Sequence, residues 1–195
     1  MQGVIGHFRN DKRIDCWDLF NEPDNRTPQY IQFEPKNKRE LAVILLQKAF
    51  TWAREMNPSQ PLTSGVWIGQ WSDPAKLTVM EKCQLEESDV ISFHSYAEPA
   101  EFDARIDELT PLGRPILCTE YLARNLGSTV EGILPIAKRR NVGAYNWGFV
   151  AGRTQTYLPW DSWNQPYTSL PETWFSDLIH PDGRAHLRPV SPPRR

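Results

Sequence analysis

The sequence has no long run of Lys or Arg and no long apolar stretch, and these two absences argue against nucleic-acid binding and against a membrane span. The 195 residues carry 22 basic and 24 acidic side chains, a formal net charge of −2, so nothing indicates nucleic-acid binding. No apolar run approaches the roughly 18 residues of a membrane-spanning helix. The N-terminal stretch MQGVIGHFRND lacks a basic region followed by an apolar core, so we expect no signal peptide in it.

Cysteine is scarce, whereas aromatic residues are plentiful. Cys16, Cys83 and Cys118 are too few and too scattered for a disulfide framework or a zinc site, so we expect reduced, buried thiols. Hydrophobic residues make up 39% and charged residues 24%, which suits one sizeable core and therefore one domain. Eight Trp, six Tyr and eight Phe are many for this length, which suggests that some of them serve a function.

Short apolar runs alternate with longer amphipathic ones, the pattern of βαβ units around a parallel sheet. Runs rich in Val, Ile and aromatic residues predict strands at residues 13–20, 61–68, 89–94, 114–120 and 142–149. Helices are predicted at residues 38–56, 101–109, 128–140 and 170–179, after a helical start at residues 2–8.

Two of these helices carry specific expectations. In 38–56, helical spacing places one apolar face on Leu41, Ile44, Leu45, the stem of Lys48, Trp52 and Met56. In 128–140, Ser128 followed by Glu131 predicts a capping box at the helix N-terminus.

Two glutamates stand where predicted strands end. Glu22 follows the first strand in WDLFNEPDN, and Glu120 ends another in CTEY. Active sites of parallel α/β barrels lie at the C-terminal ends of strands, so the two carboxylates can face each other across a cleft. Facing carboxylates suit glycoside cleavage, and in the retaining mechanism they lie about 5–5.5 Å apart. The alternative is that each is an ordinary turn residue.

Asp18 alternates onto the same strand face as Glu22. A structural hydrogen-bonding role is favoured for it over a catalytic one, because a buried carboxylate needs a partner.

Four motifs carry a family resemblance. WDLFNEPDN, SFHSY, CTEY and NWGF, in this order and spacing, resemble strands four, six, seven and eight of the retaining (β/α)8 glycoside hydrolases, the clan of the family 5 cellulase-like enzymes. NPSQPLTSGVW and GAYNWGFVAGRTQTYLPWDSW most resemble a bacterial subgroup labelled cellulase-like or 1,4-β-xylanase. The resemblance covers residues 1–187 as a partial catalytic domain, and residues 188–195 are expected to form a disordered tail.

The resemblance implies roles for particular residues. Glu22 would be the general acid/base and Glu120 the nucleophile of a double displacement. Asn21 would hydrogen-bond the sugar 2-hydroxyl, and Tyr96 would donate to Glu120 and keep it ionised. His94 would line the cleft beside them, with Trp147 as the floor under the sugar ring. Plainer interpretations remain for Asn21 as a turn residue, His94 as a core histidine and Tyr96 as packing.

Further aromatic residues indicate a carbohydrate-lined cleft as a group. They follow the second and last predicted strands and are Trp67, Trp71, Tyr157, Trp160, Trp163 and Tyr167. Any single one could instead serve core packing or anchor a loop. We expect a carbohydrate substrate, which could be xylan, glucan or mannan, and no metal or organic cofactor is implied.

The chain departs from the family in what precedes Glu22. A complete barrel has eight strands and typically about 250 residues, and this sequence matches only strands four to eight. The arginine that the family normally has on its second strand finds no counterpart. We therefore expect a fragment with open sheet edges, self-association through those edges, a raised pKa at Glu120 and weak activity of the chain alone. The alternative function is a non-catalytic carbohydrate-binding protein or an inactive fragment. Localisation stays open, since a secretory or periplasmic signal would lie upstream.

Overall fold

Helices and parallel strands alternate along residues 1–186, the part of the chain that the computed structural model describes. In chain order they are α1 (Gln2–Phe8), β1 (Trp17–Asp18), α2 (Lys38–Glu55), β2 (Leu62–Thr63), α3 (Val79–Glu87), β3 (Ile91–His94), α4 (Pro99–Leu109), β4 (Ile116–Tyr121), α5 (Val130–Arg140) and β5 (Gly143–Asn146). The tail predicted at residues 188–195 lies outside the described residues. No helix within residues 1–186 has the length and apolarity needed to cross a bilayer.

The five strands form an arc in which sequence neighbours lie side by side. β1 pairs with β2, β3 to β5 form a second sheet, and a parallel bridge between Val66 and Phe93 joins the two sheets. All strand pairs are parallel, so the predicted strand order and direction are confirmed, although the strands are shorter than predicted. The registers shift after Phe93 in β3 and after Cys118 in β4, where irregularities of this kind re-aim side chains.

Two apolar clusters stabilise the arc. The larger one lies between β3–β5 and helices α4 and α5, with Phe93 and Phe102 at its centre. The smaller one joins α1, α2 and α3 to β1 and β2 through Leu46 and Phe50. All three cysteines are free, but Cys16 is half-buried rather than buried.

Helix α2 packs with a different face from the predicted one. Its buried residues are Ala42, Val43, Leu46, Ala49, Phe50 and Ala53. The predicted core face is wrong: Leu41, Ile44, Leu45, Lys48 and Trp52 are exposed, and only Met56 is half-buried. The helix is apolar on two sides, so periodicity could not select between them. The side that contains three alanines packs against α1, α3 and the first two strands, where small side chains allow close approach.

The end of the described chain is not helical, so the helix predicted at residues 170–179 is wrong. The consecutive residues Trp174 to Asp177 are all buried, which a helix with one buried face cannot achieve. Their backbone N–H groups bond to distant segments instead: Phe175 to the carbonyl of Tyr157, and Ser176 to that of Thr156.

Two helix N-termini differ from the sequence predictions. Helix α3 was not predicted, although Thr78 and Glu81 form a complete capping box at its start. Helix α5 begins after Thr129, whose hydroxyl accepts from the Gly132 N–H at 3.1 Å. Ser128 is buried and accepts instead from the N–H of Leu122 at 3.3 Å, so the capping box predicted at Ser128 is wrong.

Candidate active site

A cleft of about 650 Å³ opens at the C-terminal ends of the strands. All eight residues predicted from the sequence line it: Asn21, Glu22, Trp67, His94, Tyr96, Glu120, Trp147 and Trp160. The fold therefore brings together side chains that lie up to 139 positions apart in the sequence, the interval from residue 21 to residue 160.

Glu22 lies in a tight turn that follows β1, four positions after Asp18. Its φ of 40° is in the left-handed region, which non-glycine residues rarely adopt and which is tolerated where the surrounding structure fixes it. The Asn25 N–H closes the turn on the Glu22 carbonyl at 2.9 Å. This turn directs the Glu22 carboxyl into the cleft, where only 13% of the side chain is exposed.

Glu120 lies within β4 and is buried. Its Oε2 accepts a hydrogen bond of 2.6 Å from the hydroxyl of Tyr96. Burial raises the pKa of the Glu120 carboxyl, and the negative charges of Glu22 and Asp18 act in the same direction. The imidazole of His94 and the Tyr96 hydrogen bond oppose that rise, since both favour the ionised form.

His94 connects the two carboxyl groups. Its Nδ1 lies 2.7 Å from Oε1 of Glu22 and 3.5 Å from Oε2 of Glu120. The ring is buried, and Gly65 lies against it: a Cβ at that position would come within 3.3 Å of His94 Nε2. The side chain thus contacts functional groups of the cleft rather than serving only the core.

Within residues 1–186, the same three residues form the one group of acidic and histidine side chains that could hold a cation. Donor atoms of Glu22, His94 and Glu120 all lie within 4.8 Å of one another. These are nitrogen and oxygen ligands of the type that zinc accepts. In the structure the three side chains instead contact one another, through His94 Nδ1.

Tyr96 is positioned to remain a hydrogen-bond donor. Burial raises the pKa of its phenol, and the neighbouring Glu120 carboxylate raises it further. The hydroxyl therefore keeps its proton at neutral pH. The edge of the Trp160 ring packs on Tyr96 with centroids 5.1 Å apart, and Phe175 supports Trp160 from behind at 5.0 Å.

The aromatic residues divide into those that line the cleft and those that do not. Trp67 lines it, with its indole N–H donating to Asp24 Oδ1 at 2.9 Å, and the rings of Trp147, Trp160 and Trp163 line it as well. Trp71 is buried in the core beside Phe93, Tyr157 packs on Trp174, and the hydroxyl of Tyr167 donates to Asp161. In the cleft as formed by residues 1–186, these last three are not lining residues.

Asp18 lies at the outer strand of the arc. Its side chain has an open side toward solvent, yet the surrounding protein atoms raise the pKa of its carboxyl. His94 and the backbone of Phe20 act in the opposite direction. Its structural role remains a prediction.

Sequence reasoning missed other residues that line the cleft, among them Asn25, Ser95, Glu98, Glu101 and Arg105. Asn25 reaches the cleft through the turn at Glu22, which brings together residues three positions apart and which the sequence did not predict. Ser95 and Glu98 lie between β3 and α4, and Glu101 and Arg105 lie within α4. They carried no pattern that distinguished them from ordinary loop and helix-surface residues.

Comparison with known proteins gives the class of fold. No family model matches the sequence, and no curated protein matches it. Several solved structures, in contrast, match this chain. The endo-β-1,4-xylanase of glycoside hydrolase family 10 from Gloeophyllum trabeum matches 95% of this chain at 14% identity and a TM-score of 0.52. CbXyn10B matches 94% at 16% identity and 0.55. The endo-1,4-β-D-mannanase from Thermotoga petrophila RKU-1 matches 92% at 14% identity and 0.54.

These similarities identify the fold as an α/β barrel of the kind found in those glycosidases. This chain spans 61%, 63% and 58% of the lengths of the three structures. It is a partial barrel with five adjacent strands in the described residues.

Proposed function

We propose that this site cleaves O-glycosidic bonds of β-linked poly- or oligosaccharides with retention of configuration. Glu22 acts as general acid/base and Glu120 as nucleophile. The observation that carries the proposal is the meeting of two carboxyl groups at one histidine nitrogen, within a cleft walled by tryptophan. One oxygen of the Glu22 carboxyl group and one of the Glu120 carboxyl group lie within 4.8 Å of each other. That supports the separation of about 5–5.5 Å used by retaining enzymes rather than the 6.5–9.5 Å of inverting ones.

In the first step the ionised Glu120 attacks the anomeric carbon and forms a covalent glycosyl ester. Protonated Glu22 gives its proton to the departing glycosidic oxygen, so the leaving sugar departs neutral. The Tyr96 hydroxyl, 2.6 Å from Glu120, favours the charged nucleophile before the attack. The burial that raises the pKa of Glu120 also removes water that would shield its charge.

In the second step Glu22, now ionised, takes a proton from water. That water attacks the anomeric carbon, and Glu120 leaves as a carboxylate. Both groups return to their starting protonation states, as microscopic reversibility requires. Asn21 borders the cleft next to Glu22 and is assigned to the sugar 2-hydroxyl. Trp67, Trp147 and Trp160 are assigned to the apolar faces of sugar rings.

The substrate is proposed from chemistry and from the neighbours together. No cofactor is assigned to either step. Two of the similar structures are named as a β-1,4-xylanase and a β-1,4-mannanase, which makes xylan and mannan the first polysaccharides to test, with β-glucan beside them. From the four matched motifs we propose a relation to the family 5 cellulase-like enzymes, in the bacterial subgroup labelled 1,4-β-xylanase.

The stereochemistry of the product tests this proposal. Proton NMR during hydrolysis of a β-linked oligosaccharide should show the β-anomer first, with the α-anomer appearing only through mutarotation. Glu22→Gln and Glu120→Gln should each abolish the signal, whereas the exposed Glu55→Gln should not. First appearance of the α-anomer would refute the retaining mechanism. Sugar binding without any hydrolysis would favour the alternative of a non-catalytic carbohydrate-binding protein.

A further inference from the structure

The two oxygens of the Glu22 carboxyl contact different chemical groups. Oε1 lies 2.7 Å from Nδ1 of His94, and Oε2 accepts a hydrogen bond of 2.5 Å from Nδ2 of Asn25. An imidazole nitrogen donates or accepts according to its tautomer, whereas an amide nitrogen only donates. The two oxygens are therefore not equivalent as sites for a proton.

A proton on Oε2 would face the N–H of Asn25 and break the hydrogen bond. A proton on Oε1 leaves that bond intact and faces the one partner, His94, that can exchange roles with it. We infer that Asn25 is a positioning residue of the acid/base step, which keeps the exchangeable proton of Glu22 on Oε1. The inference rests on the proposed function and assigns Asn25 a role in proton placement, without contact to the reacting atoms.

The proposed role requires that Asn25 be held in place, and hydrogen bonds to its main chain do so. Its backbone N–H bonds to the Glu22 carbonyl at 2.9 Å, and its own carbonyl accepts from Nζ of Lys38, the first residue of α2. Lys38 also pairs with Glu34 at 2.5 Å, and Glu34 pairs with Arg26 at 3.0 Å. The main chain of Asn25 is thus held on both its N–H and its carbonyl, and its side-chain amide bonds to Glu22 Oε2.

The same turn also positions an aromatic wall of the cleft. Asp24, between Pro23 and Asn25, is buried and accepts from the indole N–H of Trp67 at 2.9 Å. Residues 22–25 consequently set the position of the acid and of a ring that lines the cleft. If Asn25 only supports the turn, its substitution should disturb both Glu22 and the Trp67 ring. If Asn25 places the proton, its substitution should disturb only the acid function of Glu22.

The test compares leaving groups in the 195-residue chain, with Asn25→Ala and the similarly sized Asn25→Leu, neither of which has a hydrogen-bond donor for Oε2. The departure of a sugar alcohol needs the Glu22 proton, but 2,4-dinitrophenolate leaves without one. We expect kcat/KM on an oligosaccharide to fall by about ten- to a hundredfold, a part of the 10²–10⁴-fold that acid/base catalysis contributes. On the dinitrophenyl glycoside, kcat/KM should change by less than about twofold.

Asn37→Ala is the matched control, because Asn37 precedes α2 but makes no side-chain cap hydrogen bond. It should leave both values unchanged. Equal losses on both substrates in either Asn25 variant would show a structural role and overturn the inference, as would no loss on either. Should the unchanged protein hydrolyse neither substrate, the proposed function fails and the inference fails with it.

Discussion

The hydroxyl of Tyr96 donates a 2.6 Å hydrogen bond to Oε2 of Glu120, and each of the two groups shifts the pKa of the other. The phenol becomes harder to ionise beside the carboxylate. Burial raises the pKa of the Glu120 carboxyl, and the hydrogen bond from the phenol partly offsets that rise. In the proposed mechanism this hydrogen bond, together with burial and His94, sets the pH range over which Glu120 is ionised and can act as a nucleophile.

Tyr96→Phe removes the donor and leaves the ring. The pKa of Glu120 should rise further, so the acidic limb of the kcat/KM profile should move to higher pH. At neutral pH we expect a loss of about ten- to a hundredfold, equivalent to the 1.5–3 kcal/mol of a hydrogen bond to a charged group. A pH–rate profile measures this. An unmoved acidic limb would mean that the hydrogen bond does not tune Glu120.

Glu120→Gln should alter stability in a pH-dependent way. Because the folded-state pKa of Glu120 is raised, the folded protein binds more protons than the unfolded chain just above the ordinary glutamate pKa of about 4.3. Its contribution to stability is therefore fully present below that pH and is lost as pH rises through the folded-state pKa.

The variant lacks this loss, so its free energy of unfolding should exceed that of the unchanged protein increasingly from about pH 4.3 upward. Urea unfolding at several pH values measures the difference. Glu55→Gln, at the exposed end of α2, is the control and should show no such trend. A difference between Glu120→Gln and the unchanged protein that stays constant with pH would contradict the expectation.

Leu46→Ala and Leu45→Ala form a matched pair on α2. Leu46 is fully buried, whereas Leu45 is 45% exposed. The first change should lower the free energy of unfolding by about 2–5 kcal/mol, through lost burial and the cavity left behind. The second should cost less than about 1 kcal/mol. Chemical denaturation of both variants tests the packing face, and a reversed order would restore the face predicted from periodicity.

The outer face of α2 predicts self-association. Leu41, Ile44, Leu45 and Trp52 expose apolar surface side by side, and contiguous surface of this kind marks interaction sites. Ile44→Lys should shift sedimentation of the 195-residue chain toward the monomer, whereas Leu112→Lys, an exposed apolar site elsewhere, should not. A monomer at all concentrations in the unchanged chain would refute this prediction.

The sequence predicted the strand order and the cleft better than it predicted the helices. Glu22 and Glu120 could be placed because each follows or ends a recognisable strand, and parallel strands bring their C-terminal ends together. His94 and Tyr96 were placed by the resemblance of their motif to the family. Trp71 could not be told from Trp67 by sequence. The two rings differ only in whether the loop turns them toward the core or toward the cleft.

The remaining errors have physical causes. The face of α2 is ambiguous because both sides are apolar. Residues 170–179 have helical periodicity, but their backbone groups bond to residues 149–157 in the preceding loop. These tertiary hydrogen bonds override the local helical preference. Asn25 went unnoticed because its importance comes from a left-handed turn at Glu22, which the tripeptide Asn-Glu-Pro does not announce.

The covalent step at Glu120 is open to one decisive measurement. The protein is incubated with 2-deoxy-2-fluoro glycosides of several sugars that carry a dinitrophenolate leaving group, and the labelled peptide is sequenced by mass spectrometry. A single turnover suffices, so slow activity is no obstacle. We expect the label on Glu120, with Glu120→Gln unlabelled and the most reactive sugar naming the substrate class. A folded protein that binds sugars and acquires no label, or a label on another residue, would contradict the assignment of Glu120 as nucleophile.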